Sequence, residues 1–448
     1  MQKNDIIELD ITAMSSEGSG IGRHEGLAVF VPLSAIGDSL KVKILKVKSN
    51  CAYGKIVEII TPSPARQEPA CNVFSKCGGC VYRHISYREE LEIKHKRVED
   101  AIRRIGGVDK APEPIVSNGK TEGYRNKAQY PVSADGSVGF FATHSHRIIS
   151  SENCGLQPLE FASVCEIFTD WMKKTCTTAY DEETGQGLVR HLYIRKAVET
   201  GQIMVCLVIN GDTLHQTDLF VTALKEKLGD NLKTVVLNIN KKKTNVILSD
   251  KCVNLYGDGY IYDVLCGVKI RISPLSFYQV NHDMAELLYK KAQEYALPEG
   301  KTVLDLYCGA GTIGLSMADK SKSIIGVEII PKAVEDARFN ADMGNINNAE
   351  FICADALSAA KKLAEKNIKP DVVIVDPPRK GCSADLLETI ANGFSPERLV
   401  YVSCDPATLA RDVKILGEKG YKLIEYTPFD LFPRTSHVET VAVLVKDF

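Results

Sequence analysis

Along residues 1–60, apolar and polar positions alternate in short runs punctuated by glycine: DIIELDI, GSGIGRHEG, LAVFVP, GDSLKVKILKVK and CAYGKIVEII. A period of two on such short pieces predicts strands, and closing them into a small barrel hides their edges. TPSPARQEP at 61–69 reads as a linker, because proline fixes the backbone and removes a ladder donor. From Tyr87 to Ile105 the pattern predicts a charged, weakly amphipathic helix, followed by mixed strand patterns to about residue 270.

From about residue 285 the pattern changes. VLDLYC, SIIGVE, AEFICADA, DVVIVDPP and RLVYVSC are compact apolar runs separated by helix-compatible stretches. That is the signature of a mostly parallel sheet covered on both faces, whose ligand belongs beyond the carboxyl ends of the strands. The expected class is α/β: a Rossmann-like C-terminal domain (271–448) behind an N-terminal OB-like β-barrel (1–60) and a central α+β domain (61–270).

With 448 residues there is room for this many cores. Lys+Arg 55 against Asp+Glu 57 gives a net charge of -2, so bulk charge selects no partner and a nucleic-acid surface must be a local patch. Lys41, Lys43, Lys46, Lys48 and Lys55 offer one such patch; Arg83, Arg88, Lys94, Lys96, Arg97, Arg103 and Arg104 offer another, interrupted by acids. No apolar run approaches the roughly 18 residues that span a bilayer, so a cytoplasmic protein is expected.

Fourteen cysteines are spread over residues 51 to 404. Cys71, Cys77 and Cys80 crowd into CNVFSKCGGC, a metal-site pattern short of the usual fourth ligand. Cys154, in the polar context SENCG, is the best candidate to complete it. Zinc and a [4Fe-4S] cluster both accept four thiolates, and spacing alone divides them poorly.

VLDLYCGAGTIG places Asp305 near a strand end, Gly309 and Gly311 in a turn, and Thr312 at a helix start. The next strand ends in Glu328, suited to accept hydrogen bonds from two ribose hydroxyls, and Asp355 after the third strand suits an adenine amino group. GAGTIG lacks the full dinucleotide fingerprint and the lysine of a P-loop, so S-adenosylmethionine is the expected nucleotide-like ligand.

Over nearly its full length the chain resembles the bacterial RNA (uracil-5-)-methyltransferases, especially the 23S ribosomal RNA branch with an N-terminal TRAM domain. The resemblance rests on CNVFSKCGGC with Cys154, SFYQVN, DLYCGAGTIG, DVVIVDPPRKG, YVSCDP and TSHVET. It implies a TRAM RNA-binding barrel, a [4Fe-4S] cluster on Cys71, Cys77, Cys80 and Cys154, and a methyl-donor pocket lined by Gln279, Tyr307, Glu328 and Asp376. It also implies that Cys404 is the nucleophile and Glu439 the base, with His437 a weaker candidate for that step. The partner it implies is 23S ribosomal RNA at an unpaired loop, with no membrane and no obligate protein partner. A transfer RNA substrate is the nearest alternative, and a non-catalytic iron-sulfur RNA-binding or ribosome-assembly protein is a different class.

Those residues suit the reaction. Uracil C5 is a poor nucleophile until a thiolate adds at C6, and cysteine supplies that thiolate near neutral pH. A carboxylate shielded from water then accepts the C5 proton. The base must leave its stack first, which favours an exposed uridine.

Overall fold

The computed structural model describes residues 1–447. The N-terminal six-stranded sheet takes in Ile6–Asp10, Ala13–Met14, Gly20–His24, Leu27–Val31, Ser39–Val47 and Cys51–Thr61. It curls around Leu9, Ile11, Val29, Val31, Leu40 and Val42, among others. Its first and third strands approach so closely that a Cβ on Gly22 would stand 2.5 Å from the Asp10 carbonyl oxygen and 2.6 Å from Leu9. Only glycine permits that closure.

The central sheet has five strands in the order Cys252–Tyr256, Leu232–Ile239, Ile203–Ile209, Val189–Lys196, Lys127–Pro131. Helices Leu159–Thr175 and Thr217–Leu228 supply Phe161, Phe168, Trp171 and Phe220 to the core on one face. Its other face contributes Tyr193, Met204, Cys206 and Val236 to a core shared with the C-terminal domain. The hairpin Ile261–Leu265/Val268–Ile272 crosses the boundary expected near 270 and is buried in that shared core.

The C-terminal sheet has seven strands in the order Ala349–Cys353, Ser323–Glu328, Thr302–Leu306, Val372–Val375, Arg398–Ser403, Glu439–Lys446, Tyr421–Phe429. The first five pair in parallel; Glu439–Lys446 runs antiparallel to both its neighbours. Helices on both faces cover it, as the apolar runs of its strands require. No helix among the described residues is long and apolar enough to cross a membrane.

The charged helix spans Tyr87–Arg104, capped by the Ser86 side chain on the Glu89 amide. It buries Val98 and Ile102 in the core of the C-terminal domain. Two of its expected phosphate ligands are occupied internally. Lys94 is 1% exposed and donates to Glu90 Oε1 at 2.7 Å and Asp430 Oδ1 at 2.6 Å. Arg83, just before the helix, is buried and donates to Glu122 Oε1 at 2.7 Å. Burying a cation without a counter-charge is costly, so these basic residues read as internal ion pairs, not as an RNA face.

Replacing Lys94 by Met leaves Asp430 buried without its cation and Glu90 with only Arg434 Nη1, 3.5 Å from its Oε2. Urea unfolding should show a loss of about 3–5 kcal/mol. Arg88→Ala, on the solvent side of the same helix, should cost about 0.5 kcal/mol or less.

Candidate active site at the carboxyl edge of the C-terminal sheet

Every parallel strand of the C-terminal sheet delivers one sequence-expected residue to the same edge. Tyr307 follows Leu306, Glu328 ends its strand, Asp355 lies beyond Cys353, Asp376 follows Val375 and Cys404 follows Ser403. The antiparallel strand then brings Glu439 to this edge from the opposite direction, because Thr440 pairs with Ser403 and Glu439 with Phe429.

The glycine turn is built for close approach. Gly311 has φ 80°, and a Cβ there would stand 2.9 Å from the Phe351 ring. Asp305, buried beneath the turn, accepts from the Gly314 amide at 2.9 Å. Its Oδ1 is buried without a protein partner, which leaves an acceptor for a cationic ligand. Glu328 Oε2 accepts from the Gly309 amide at 3.2 Å and Oε1 from Ile330 at 2.9 Å, so its carboxylate spans from the turn to the following loop. Asp355 caps the helix Ala356–Glu365 by accepting from the Ser358 amide at 3.1 Å.

Gln279 arrives from the central side. Its carbonyl accepts from Asn126 Nδ2 at 2.9 Å, and buried Arg195 holds the preceding residues through the Ser273 and Ser276 carbonyls. Gln279 lies beside the Tyr289 hydroxyl, to which Thr312 Oγ1 donates at 3.2 Å. Tyr289, Asn126 and Arg195 were not singled out from the sequence. Tyr289 carried a faint signal, in an amphipathic stretch just after SFYQVN; Asn126 and Arg195 carried none, because their partners are distant in the chain.

The electrostatics suit acid and base work. Burial, reinforced by Asp376, pushes Glu439 up to about 8, with Arg379 opposing. Burial alone pushes Asp376 to about 7, and burial also takes Asp305 to about 7. The Cys404 thiol is pushed up to about 11 by burial and then by Glu439 and Asp376, so these groups sense one another. His437, exposed at the rim of the site, is lowered from the ordinary imidazole range by partial desolvation and by Arg379, whose Nη2 lies 3.4 Å from His437 Nε2. At neutral pH it is therefore an uncharged imidazole and a weaker base than Glu439.

A second site forms around the cysteines. Cys71, Cys77, Cys80 and Cys154 line one cavity of about 260 Å³. The Cys77 amide donates to the Val73 carbonyl at 2.8 Å, tightening the loop, and Gln157 donates to Cys154 at 2.9 Å. Arg83, Arg125 and Lys127 also line the cavity, with no acid among its described lining residues. Cations around four thiols fit an anionic thiolate-bound group. No set of three or more His, Cys, Asp or Glu among the described residues converges as tightly as a single metal ion requires.

Known proteins share this domain architecture. The family model for tRNA (uracil-5-)-methyltransferases matches residues 86–447, and the TRAM domain model matches residues 2–57. An uncharacterized RNA methyltransferase of Clostridium tetani is 42% identical over 448 residues, covering 99% of this chain and 97% of its own. One from Caldanaerobacter subterraneus is 41% identical, with 98% of each chain covered. The crystal structure of the Pyrococcus abyssi tRNA (uracil-54, C5)-methyltransferase in complex with S-adenosyl-L-homocysteine superimposes with a TM-score of 0.81 at 28% identity, covering 98% of this chain and 99% of that one.

The three raised carboxyls set a pH signature. Each is protonated in the free protein at pH 6 and ionises as pH rises through about 7 to 8. A sulfonium cation favours the ionised forms, so the methyl donor should bind with proton release and tighten between pH 6 and 8. Calorimetry in buffers of different ionisation enthalpy should show this, and more weakly for S-adenosylhomocysteine. For folding the sign is opposite: stability held below the ordinary carboxyl range is lost as pH rises through these values.

Proposed function

Because this chain belongs to the tRNA (uracil-5-)-methyltransferase family, as a class I S-adenosylmethionine-dependent RNA (uracil-5-)-methyltransferase with a TRAM domain, we propose that Cys404 and Glu439 divide its two half-reactions. The observation that carries this reading is the antiparallel register that sets Glu439 beside Cys404 at the carboxyl edge. In the first half, the Cys404 thiolate adds to uracil C6, and the electron pair released to C5 takes the methyl group as S-adenosylhomocysteine leaves. In the second, Glu439 accepts the C5 proton, the C5–C6 double bond re-forms and the thiolate departs. Gln279, Tyr307, Glu328, Asp355 and Asp376 hold the donor.

The raised Glu439 makes it protonated or poised at neutral pH, a fitting strength for a base that must take a proton from carbon and return it to water. Cys404 must lose a proton from a thiol held at about 11, and the donor's positive charge favours that loss.

The RNA class better supported is transfer RNA, because the full-length structural relative is a tRNA (uracil-54, C5)-methyltransferase. The TRAM barrel supports an RNA partner of either class, so the 23S ribosomal RNA implied by the sequence resemblance is the other arm of the test. The cytoplasm is the compartment this reading implies. We assign Cys71, Cys77, Cys80 and Cys154 to a [4Fe-4S] cluster. When bound, it would cross-link the loop 71–80 to residue 154 and contribute folding energy. Methyl transfer from a sulfonium is redox-neutral and asks no electron of it.

Incubating the protein with labelled donor and separate transfer RNA and 23S transcripts, then mapping products by mass spectrometry, should give 5-methyluridine in transfer RNA. Product confined to 23S RNA would reassign the substrate and keep the chemistry; product in neither, with donor bound, would sink the enzymatic reading. Cys404→Ala should bind donor yet form neither adduct nor product. Glu439→Gln should form a covalent RNA adduct whose release is slowed by about 10²-fold or more. Iron and sulfide analysis should find four of each per chain, and Cys154→Ser should lower both together with the yield of folded protein.

A further inference from the structure

Residues 430–438 join the strand Tyr421–Phe429 to the strand that begins at Glu439 and contain no helix or strand of their own. They are held from outside, by parts of the chain far away in sequence. The amides of Val81 and Tyr82, immediately after Cys80, donate to the Arg434 carbonyl at 2.8 and 3.2 Å. From the helix Tyr87–Arg104, Glu90 Oε1 accepts from the Arg434 amide at 2.7 Å, and Arg97 Nη1 donates to the Ser436 carbonyl at 2.8 Å. The same Arg97 nitrogen donates to the Ser16 carbonyl of the N-terminal barrel at 3.2 Å. Tyr124, 3% exposed, donates its hydroxyl to the Pro433 carbonyl at 2.9 Å.

Arg434 itself is buried with φ 70°, a left-handed conformation that a non-glycine residue adopts at a cost. Such a conformation persists when its surroundings over-determine it, and here they do. Cys404 has separate supports. Asp405 caps the helix Pro406–Gly417 through the Ala407 and Thr408 amides, each at 2.9 Å, and accepts through its own carbonyl from Ser403 Oγ at 3.0 Å. Nucleophile and base thus share the ladder between their strands and differ in what flanks it, a capped helix after Cys404 and the clamped loop before Glu439.

We propose that residues 433–436, clamped by Val81, Tyr82, Arg97 and Tyr124, form a positioning device for Glu439 that sets the rate of C5 proton removal and not the rate of methyl transfer. The proposal rests on the assignment of Glu439 as the base. Arg97 and Tyr124 are positioning residues: each acts on the reaction through the loop that leads to the carboxylate. Arg97 also ties the N-terminal barrel to the same loop through the Ser16 carbonyl.

The test is a single-turnover reaction with enzyme in excess over an RNA tritiated at uridine C5. Methyl incorporation reports the first half-reaction; tritium release and decay of the denaturant-stable RNA adduct report the second. Tyr124→Phe, which removes only a buried hydroxyl, and Arg97→Met should slow tritium release by about tenfold or more and leave methyl incorporation within about twofold. Arg97→Lys should recover part of the loss. Loss of both half-reactions in equal proportion, or of neither, would overturn the clamp. Glu439→Gln run alongside separates the two claims. If it releases tritium at the parental rate, the base assignment falls and the clamp with it; if it is slow while Tyr124→Phe and Arg97→Met behave as the parent, the clamp alone falls.

Discussion

The site depends on one pairing, that of the strand Glu439–Lys446 antiparallel to Arg398–Ser403. A six-residue strand spans about 20 Å. Had the last strand run parallel to its neighbour, its first residue would lie at the amino edge of the sheet, a full strand length from Cys404. Reversing one strand in an otherwise mostly parallel sheet brings a residue from the beginning of a strand to the edge where all the others end. A thiol and a carboxyl that 34 intervening residues separate in sequence become neighbours across a backbone ladder. Because the ladder lies deep in the sheet, the two strands are fixed to one another, and what remains to be set is the Glu439 side chain at the ladder's end.

The same depth creates the electrostatic problem that the chemistry uses. Asp305, Asp376 and Glu439 are all withdrawn from water near one another, with Arg379 the cation that faces Glu439 and Cys404. Ionising all three in the free protein would be unfavourable, so they hold protons at a pH where surface carboxyls do not. A cationic donor reverses the balance. In the proposed mechanism the carboxyls lose protons as the cationic donor seats, so Glu439 is ionised before methyl transfer leaves the donor a neutral thioether, and it is ready to accept the C5 proton afterwards. His437, lowered by the neighbouring Arg379, is the weaker base of the two.

Much of this was legible in the chain, and the pattern of what was not is physical. Strands covered on both faces must be apolar throughout, so VLDL, SIIGVE and DVVIV announced themselves, and the residues immediately after them marked the ligand edge. The helix Tyr87–Arg104 was legible in extent, but one of its expected phosphate ligands, Lys94, is turned inward. Lys94 looks like a surface lysine because its second partner, Asp430, lies 336 residues on, and no local pattern encodes a pairing of that span. Arg190, His191 and Arg195 interrupt the central strand Val189–Lys196 although all are buried, which blurred the alternation that would have revealed it. The four cysteines could be grouped from spacing and context; that they share their cavity with Arg83, Arg125 and Lys127 could not.

Those three cations and the loop after Cys80 give the cysteine site a structural place. Residues 71–80 form no regular element; their shape comes from short turns such as the Cys77 amide on the Val73 carbonyl. A loop of this kind loses considerable conformational entropy on ordering, and a covalent cross-link through four thiolates is an effective way to offset it. What the ordered loop then presents are the Val81 and Tyr82 amides, aimed at the Arg434 carbonyl. Loosening the cysteine loop therefore removes two of the donors that keep a strained, buried arginine in its left-handed conformation, and the consequence is felt at the strand that starts with Glu439. Distance from the reacting atoms does not make the cysteine site irrelevant to them, because the hydrogen bonds between the two are few and each link in the chain is short.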